Sequence, residues 1–159
     1  MKKINLISFS LLLLTFGIFS CSDDDNLDEP DFISATINEE KWNGDPQITL
    51  NQENDTLTIL GSGSEQVIVF KIKFDGEGVY SLSDAQASYY TTIGGDVITS
   101  FYALDPSSSS QITVAEYKSE QNMVKGSFEL SLLQEWSNPE NNINLLSFTN
   151  GQFKGTITN

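Results

Sequence analysis

Leu146-Ser147-Phe148-Thr149-Asn150-Gly151-Gln152-Phe153-Lys154-Gly155-Thr156-Ile157 is the stretch whose reading decides the fold. Asn-Gly is the preferred centre of a two-residue type I′ turn, because both positions need φ > 0. Reversal there sets Thr149 opposite Gln152 and Phe148 opposite Phe153. Leu146, Phe148, Phe153 and Ile157 then share one face, with Lys154 and Thr156 on the other. Turn chemistry and apolar face agree, so the sequence predicts a terminal β-hairpin. Its facing aromatic pair adds ~0.5 kcal/mol relative to alanines.

The period of two continues upstream. In Val124 to Trp136, Phe128, Leu130 and Leu132 alternate with Ser127, Glu129 and Ser131, the mark of a half-buried strand. Gln66 to Phe74 puts Ile68, Phe70, Ile72 and Phe74 on one face and Lys71 and Lys73 on the other. Phe32 to Ile37 and Lys41-Trp42 read as arms of a first hairpin around Asn38-Glu39-Glu40. Gln47 to Leu50 and Thr56 to Leu60 read as a second, turning over Asn51 to Asp55. Val79 to Leu82, Tyr89 to Ile93, Val97 to Leu104 and Gln111 to Tyr117 complete the strands. Between them lie Gly61-Ser62-Gly63-Ser64, Asp75-Gly76-Glu77-Gly78, Gly94-Gly95-Asp96 and the polar loop Pro106 to Ser110. No later stretch sustains helical spacing. The expectation is an all-β domain over residues 32–159. About ten antiparallel strands, mostly in meander order, close it as a β-sandwich or flattened barrel.

The chain ahead of that domain reads as an address. Met1-Lys2-Lys3 is basic, Ile4 to Phe19 is apolar, and Ser20 is a small residue before a cut, as in a secretory signal over residues 1–20. The apolar run is short for a membrane span, which needs about 20 residues, so an uncleaved anchor helix is the lesser alternative. Cys21 is the only cysteine and has no disulfide partner in the chain. Residues 22–31, SDDDNLDEPD, hold acids without a base and too little apolar surface to fold. Together with Cys21 they make an acidic tether. A calcium loop would alternate its acids around a glycine, which Asp23-Asp24-Asp25 does not.

Cys21 at a new N-terminus resembles the acylated cysteine of a bacterial lipoprotein. Followed by Ser22, Asp23, Asp24 and Asp25, it is similar to surface-exposed lipoproteins of the Bacteroidetes type, in which an acidic stretch after the cysteine accompanies display outside the outer membrane. Ala35-Thr36-Ile37-Asn38-Glu39-Glu40-Lys41-Trp42, Gly126-Ser127-Phe128 and Thr149-Asn150-Gly151-Gln152-Phe153 resemble an "A-x-I-N-G-K-x-W" hairpin, a "G-x-F" strand and a "T-N-G-x-F" hairpin. These occur in small uncharacterised β-domains of such lipoproteins. The resemblance implies an all-β fold, lipid on Cys21, Ser22 to Asp25 as export signal and an outer-membrane location at the cell surface. Glu39 stands where that pattern has glycine. A non-glycine residue at φ > 0 is costly, so a different or longer loop is expected in the first hairpin.

The chemistry on offer is narrow. The chain has no histidine, its eight basic residues face 22 acids, and its net charge is −14. All eight are lysines. Such a surface repels nucleic-acid phosphates, and without arginine or a glycine-rich loop before a helix there is no phosphate clamp. Histidine-dependent triads are excluded. No cofactor or metal is expected, since zinc would have to rest on carboxylates alone. Glu116, Glu129 and Glu135 on strands and Asp84, Asp96 and Asp105 in or near turns could supply the two carboxyls of a glycan hydrolase, about 5 Å apart. A solvated acidic face is the plainer reading. Trp42, Tyr89, Tyr90, Tyr102 and Trp136 are candidate rings for stacking on a sugar, although a second layer of core or a covered strand edge is the plainer reading of them. Because neighbours on a strand point to opposite faces, Tyr89-Tyr90 and Phe101-Tyr102 must each send one ring outward. Asp55-Thr56-Leu57 fits a short O-glycosylation pattern and equally a turn entering a strand. The expected protein is a non-catalytic lipoprotein, membrane-held by its lipid, that binds carbohydrate or another envelope protein. A carboxylate-dependent hydrolase and a purely structural lipoprotein are the alternatives.

Overall fold

Alternating apolar and polar side chains carry ten strands through residues 30–158, the part of the chain that the computed structural model describes. They are β1 Phe32–Ile37, β2 Glu40–Asn51, β3 Thr56–Gly63, β4 Gln66–Lys73 and β5 Gly78–Leu82, then β6 Ala87–Ile93, β7 Val97–Leu104, β8 Ser110–Lys118, β9 Met123–Ser137 and β10 Leu145–Thr158. The fold is all-β, with single 3₁₀ turns at Asp84–Gln86 and Ser119–Gln121.

The ten strands form one sheet that closes on itself. β1, β2, β3, β4, β6, β7, β9 and β10 pair in series, and β10 returns to β1. β9 serves two partners along one edge: its first half pairs with β8 and its second with β7. β8 in turn carries β5. The inward residues of every strand merge in one core, where Ile33, Leu57, Ile59, Ile68, Phe70, Ile112, Val124 and Phe153 are fully buried. At the end of β4, aromatic contacts tie the ring to β8 and β5. Phe74 meets Tyr117 edge-on with ring centroids 5.0 Å apart, and the Tyr80 hydroxyl donates to Gly76 O at 2.6 Å.

The terminal hairpin does not form. β10 continues past Asn150-Gly151 without reversing, with both halves paired to β9: Phe148 faces Leu130 and Gly151 faces Phe128. Between these pairs β10 advances one residue more than β9, which is a β-bulge. Asn150 takes φ 52° there. The expected Phe148–Phe153 cross-strand pair is therefore absent. The expected face survives, because one extra residue flips side-chain parity as a reversal would. Leu146, Phe148, Phe153 and Ile157 are all buried, and Lys154 is buried too. The long β9 decides between the outcomes. It offers a continuous partner to all of β10, and reversal would leave half of that edge unpaired.

A reciprocal fit fixes the register of β9 on β10. Gly126 faces Phe153 and Gly151 faces Phe128. A Cβ on Gly126 would lie 2.6 Å from the Phe153 ring, and one on Gly151 would lie 2.5 Å from the Phe128 ring. Each glycine leaves the room that the opposite phenylalanine fills. Phe128 continues inward onto Phe70, with centroids 4.8 Å apart.

Two other expectations are corrected. Lys41-Trp42 and Gln47 to Leu50 belong to the single strand β2. Pro46, which has no N–H to give, sits between the stretch paired with β1, ending at Gly44, and the short parallel pairing with β10 at Ile48. The first turn is a two-residue loop despite Glu39. Ile37 pairs with Glu40, and Asn38 and Glu39 take φ 45° and 76°. Asn38 offsets that strain by bonding to the start of β10. Its N–H donates to Ser147 O (3.0 Å), its amide donates to Leu145 O (3.2 Å), and its Oδ1 accepts from Ser147 N (2.9 Å).

Adding a methyl at either glycine overpacks the spine. Gly126→Ala and Gly151→Ala should each lower unfolding free energy by about 1–3 kcal/mol, read from urea melts. A midpoint unchanged in both variants would contradict the reciprocal fit.

Candidate functional site

Strand alternation splits the paired aromatics into two sets. Tyr89 pairs with Tyr102 and Tyr90 with Phe101 across β6 and β7. The first pair turns inward, with ring centroids 5.7 Å apart, and Tyr89 also meets Phe148 at 5.4 Å. The second pair turns outward, and Phe101 faces Trp136 on β9. Tyr90, Phe101 and Trp136 thus lie in register on the outer surface, where Trp136 is 44% exposed. Of the five candidate rings, Trp42, Tyr89 and Tyr102 converge; Tyr90 and Trp136 do not join them.

The convergent rings belong to the core, each no more than 5% exposed, and close the base of a cavity of about 600 Å³ at one mouth of the barrel. Four connections meet there. The Asn38-Glu39 turn is bonded to β10, as above. In the β3–β4 turn, Glu65 accepts from Thr92 N and Gly94 N at 2.7 Å each. The loop after β9 returns through Asn138 N to Thr99 O (2.7 Å), and its end at Asn144 accepts from Gln134 N (2.9 Å). Trp42 is buried by close strand approach. A Cβ on Gly44 would lie 2.9 Å from its ring, and its indole N–H donates to Gly63 O at 3.1 Å.

Polar groups that the sequence does not announce line the cavity (Asn141, Thr91 and Ser100) and back it (Gln134). Gln134 Nε2 donates to the Tyr102 hydroxyl (2.9 Å) and to Asn141 Oδ1 (2.6 Å). Asn141 N in turn donates to Ser137 Oγ at 3.0 Å. Thr91 and Ser100 share a 2.6 Å hydroxyl contact. A register shift between Phe101 and Tyr102 on the β9 pairing brings Gln134 opposite Tyr102. No sequence period announces that shift. Tyr89 differs from its neighbours. It is 5% exposed, and its hydroxyl has no hydrogen-bond partner among the described residues. Yet no fully buried side-chain polar atom there lacks a partner, so this hydroxyl opens onto the cavity. Burial, and then the nearby Tyr102, push its phenol well above the ordinary range, so it stays protonated.

None of the six candidate carboxylates lines this cavity, where Glu40 is the one acidic lining residue. Glu116 pairs with Lys118 at 3.0 Å, and Glu129, Glu135, Asp84 and Asp96 are exposed. Asp105 is buried and holds the turn after β7. It accepts from Ser107 N (2.9 Å), Ser107 Oγ (2.7 Å) and Ser108 Oγ (2.7 Å), which keep its carboxyl below the usual range. Among the described residues no group of three potential ligands could hold a metal ion. Thr56 opens β3 away from the mouth, beside an Asp55–Lys73 ion pair of 3.0 Å. Cys21 and Ser22, Asp23, Asp24 and Asp25 lie outside the described residues.

A family model described as a domain of unknown function, DUF6252, matches residues 29–156. The chain belongs to this family. The DUF6252 span takes in β1 through β9 and nearly all of β10, so cavity, spine and outer aromatic row all lie inside it. No curated protein and no solved structure matches the chain.

The Asp105 turn gives a pH test. Its folded-state carboxyl titrates below the unfolded one, so its stabilisation is present above the unfolded range and is lost as pH falls through the folded value. Asp105→Asn should melt at a lower temperature than the parent near neutral pH. The gap should close on acidification. A gap that stays constant with pH would contradict the assignment.

Proposed function

We propose that the protein is a lipid-anchored lipoprotein displayed on the outer membrane, whose β-domain binds carbohydrate at the barrel mouth without turning it over. The observation that carries the binding reading is the convergence of Trp42, Tyr89 and Tyr102 with Gln66, Thr91 and Asn141 around one cavity. Buried rings at the base of that cavity beside amides and hydroxyls at its rim suit the mixed C–H and O–H surface of a sugar ring, and barrel mouths are common ligand sites. A two-carboxylate hydrolysis needs a pair of acids at the bond to be cut. Glu40 as the lone acid of the lining argues for binding instead. The anchor rests on the signal-like residues 1–20, on Cys21 and on the resemblance of Ser22 to Asp25 to surface-lipoprotein export signals.

A partner protein is the second reading, and a different feature favours it. The outward Tyr90, Phe101 and Trp136 continue into exposed apolar residues of the β6–β7 hairpin, Ile93, Val97 and Ile98.

Two measurements test the proposal. Cys21→Ala should stop lipidation and release the protein from the membrane fraction; unchanged partitioning would overturn the anchor. On an array of neutral oligosaccharides the domain should retain ligand that is recovered intact. Steady release of shortened product would make it a hydrolase.

A further inference from the structure

We infer that the mouth cavity receives the terminal residue of a neutral glycan, entered end-first, and that the Tyr89 hydroxyl donates a hydrogen bond to one of its oxygens. The inference rests on the carbohydrate reading and adds to it the chain end, the charge and the reading residue.

The floor of the cavity imposes entry from one end. Tyr89 stands on Phe148, which is itself fully buried, so nothing can thread onward through the barrel. A volume of about 600 Å³ lies in the range of small-molecule sites. With its base closed by Tyr89 and Phe148, a cavity of that size takes a terminal ring end-first.

Charge narrows the class further. The lining has one acid and one base, Glu40 and Lys41, which are neighbours in sequence and both exposed. The remaining lining residues are neutral, and the chain carries −14 overall. Glycans bearing sulfate or uronate would be repelled by that field and would find no arginine to pair with.

The unmet hydrogen bond names the reader. Tyr89 is more than nine-tenths buried, and its protonated hydroxyl faces the cavity without an acceptor among the described residues. Tyr102 accepts from Gln134 Nε2, and its own proton likewise lacks an acceptor there. The Trp42 N–H is committed to Gly63 O and its ring is buried, so that residue packs the base and offers no donor. The site therefore presents the Tyr89 hydroxyl as a donor at the base of the cavity, with Tyr102 buried behind it. A ligand that fits must bring acceptor oxygens on an otherwise apolar ring face.

Tyr89→Phe removes one oxygen and keeps the ring. On an array of neutral linear oligosaccharides, the full-length protein should hold its best glycan about tenfold more tightly than the variant, the worth of one hydrogen bond. Both proteins should melt alike. Affinity should stay level as that glycan is lengthened beyond its terminal two residues, and it should vanish when the terminal ring is chemically modified. If the parent binds no neutral glycan, the carbohydrate reading itself fails. If it binds but Tyr89→Phe binds as well, or affinity climbs steadily with chain length, end-first reading by Tyr89 is wrong. Should Tyr89→Phe not fold, the length series and the blocked terminus still decide the end-first claim.

Discussion

Gly126 against Phe153 and Gly151 against Phe128 form the contact on which the architecture depends. β9 and β10 are the two longest strands, and between them they touch β1, β2, β7 and β8. Their register is therefore the register of most of the ring. A slip of one residue would push each phenylalanine onto a backbone that no longer gives way, and would turn every inward side chain of β10 outward. The bulge at Asn150 belongs to the same constraint. It bends β10 and lets Phe148 and Phe153, five positions apart, both face the core.

That bulge also marks the limit of what the sequence discloses. Alternation assigned the apolar faces correctly, Lys154 being the exception on the other face, because parity is a local property of each strand. Whether the chain then reversed or continued past Asn150-Gly151 was not local, since a two-residue turn and a one-residue bulge satisfy the same parity. The choice belonged to β9, whose length provided a partner for either half. Glu39 was misread for a related reason. Its intrinsic cost at positive φ is real, but the three bonds from Asn38 to β10 span more than a hundred residues and cannot be seen in the turn itself. Gly126-Ser127-Phe128 and Thr149-Asn150-Gly151-Gln152-Phe153 were legible as a motif, yet their shared meaning appeared only once the strands lay side by side.

The candidate site was half legible for the same physical reason. Adjacent aromatics had to part, and they did, with Tyr89 and Tyr102 inward and Tyr90 and Phe101 outward. Which strands would meet was a matter of ring closure, so the enlistment of Trp42 with Tyr89 and Tyr102, and the exclusion of Trp136, could not be foreseen. Gln134 and Asn141 were invisible altogether. An amide in an Asn-rich stretch looks like solvent until a register shift aims it at a phenol.

One further property follows from how β1 is seated. It lies between β10 and β2, hydrogen-bonded along both edges, and the Asp31 carboxylate just ahead of it accepts from Thr156 N at 3.0 Å. A pull on the chain before Phe32 acts along the strand axis, perpendicular to those bonds. Both ladders then bear the load together and cannot be peeled one rung at a time. Loaded in that direction, β1 would act as a shear clamp, which resists more force than a strand peeled from one edge.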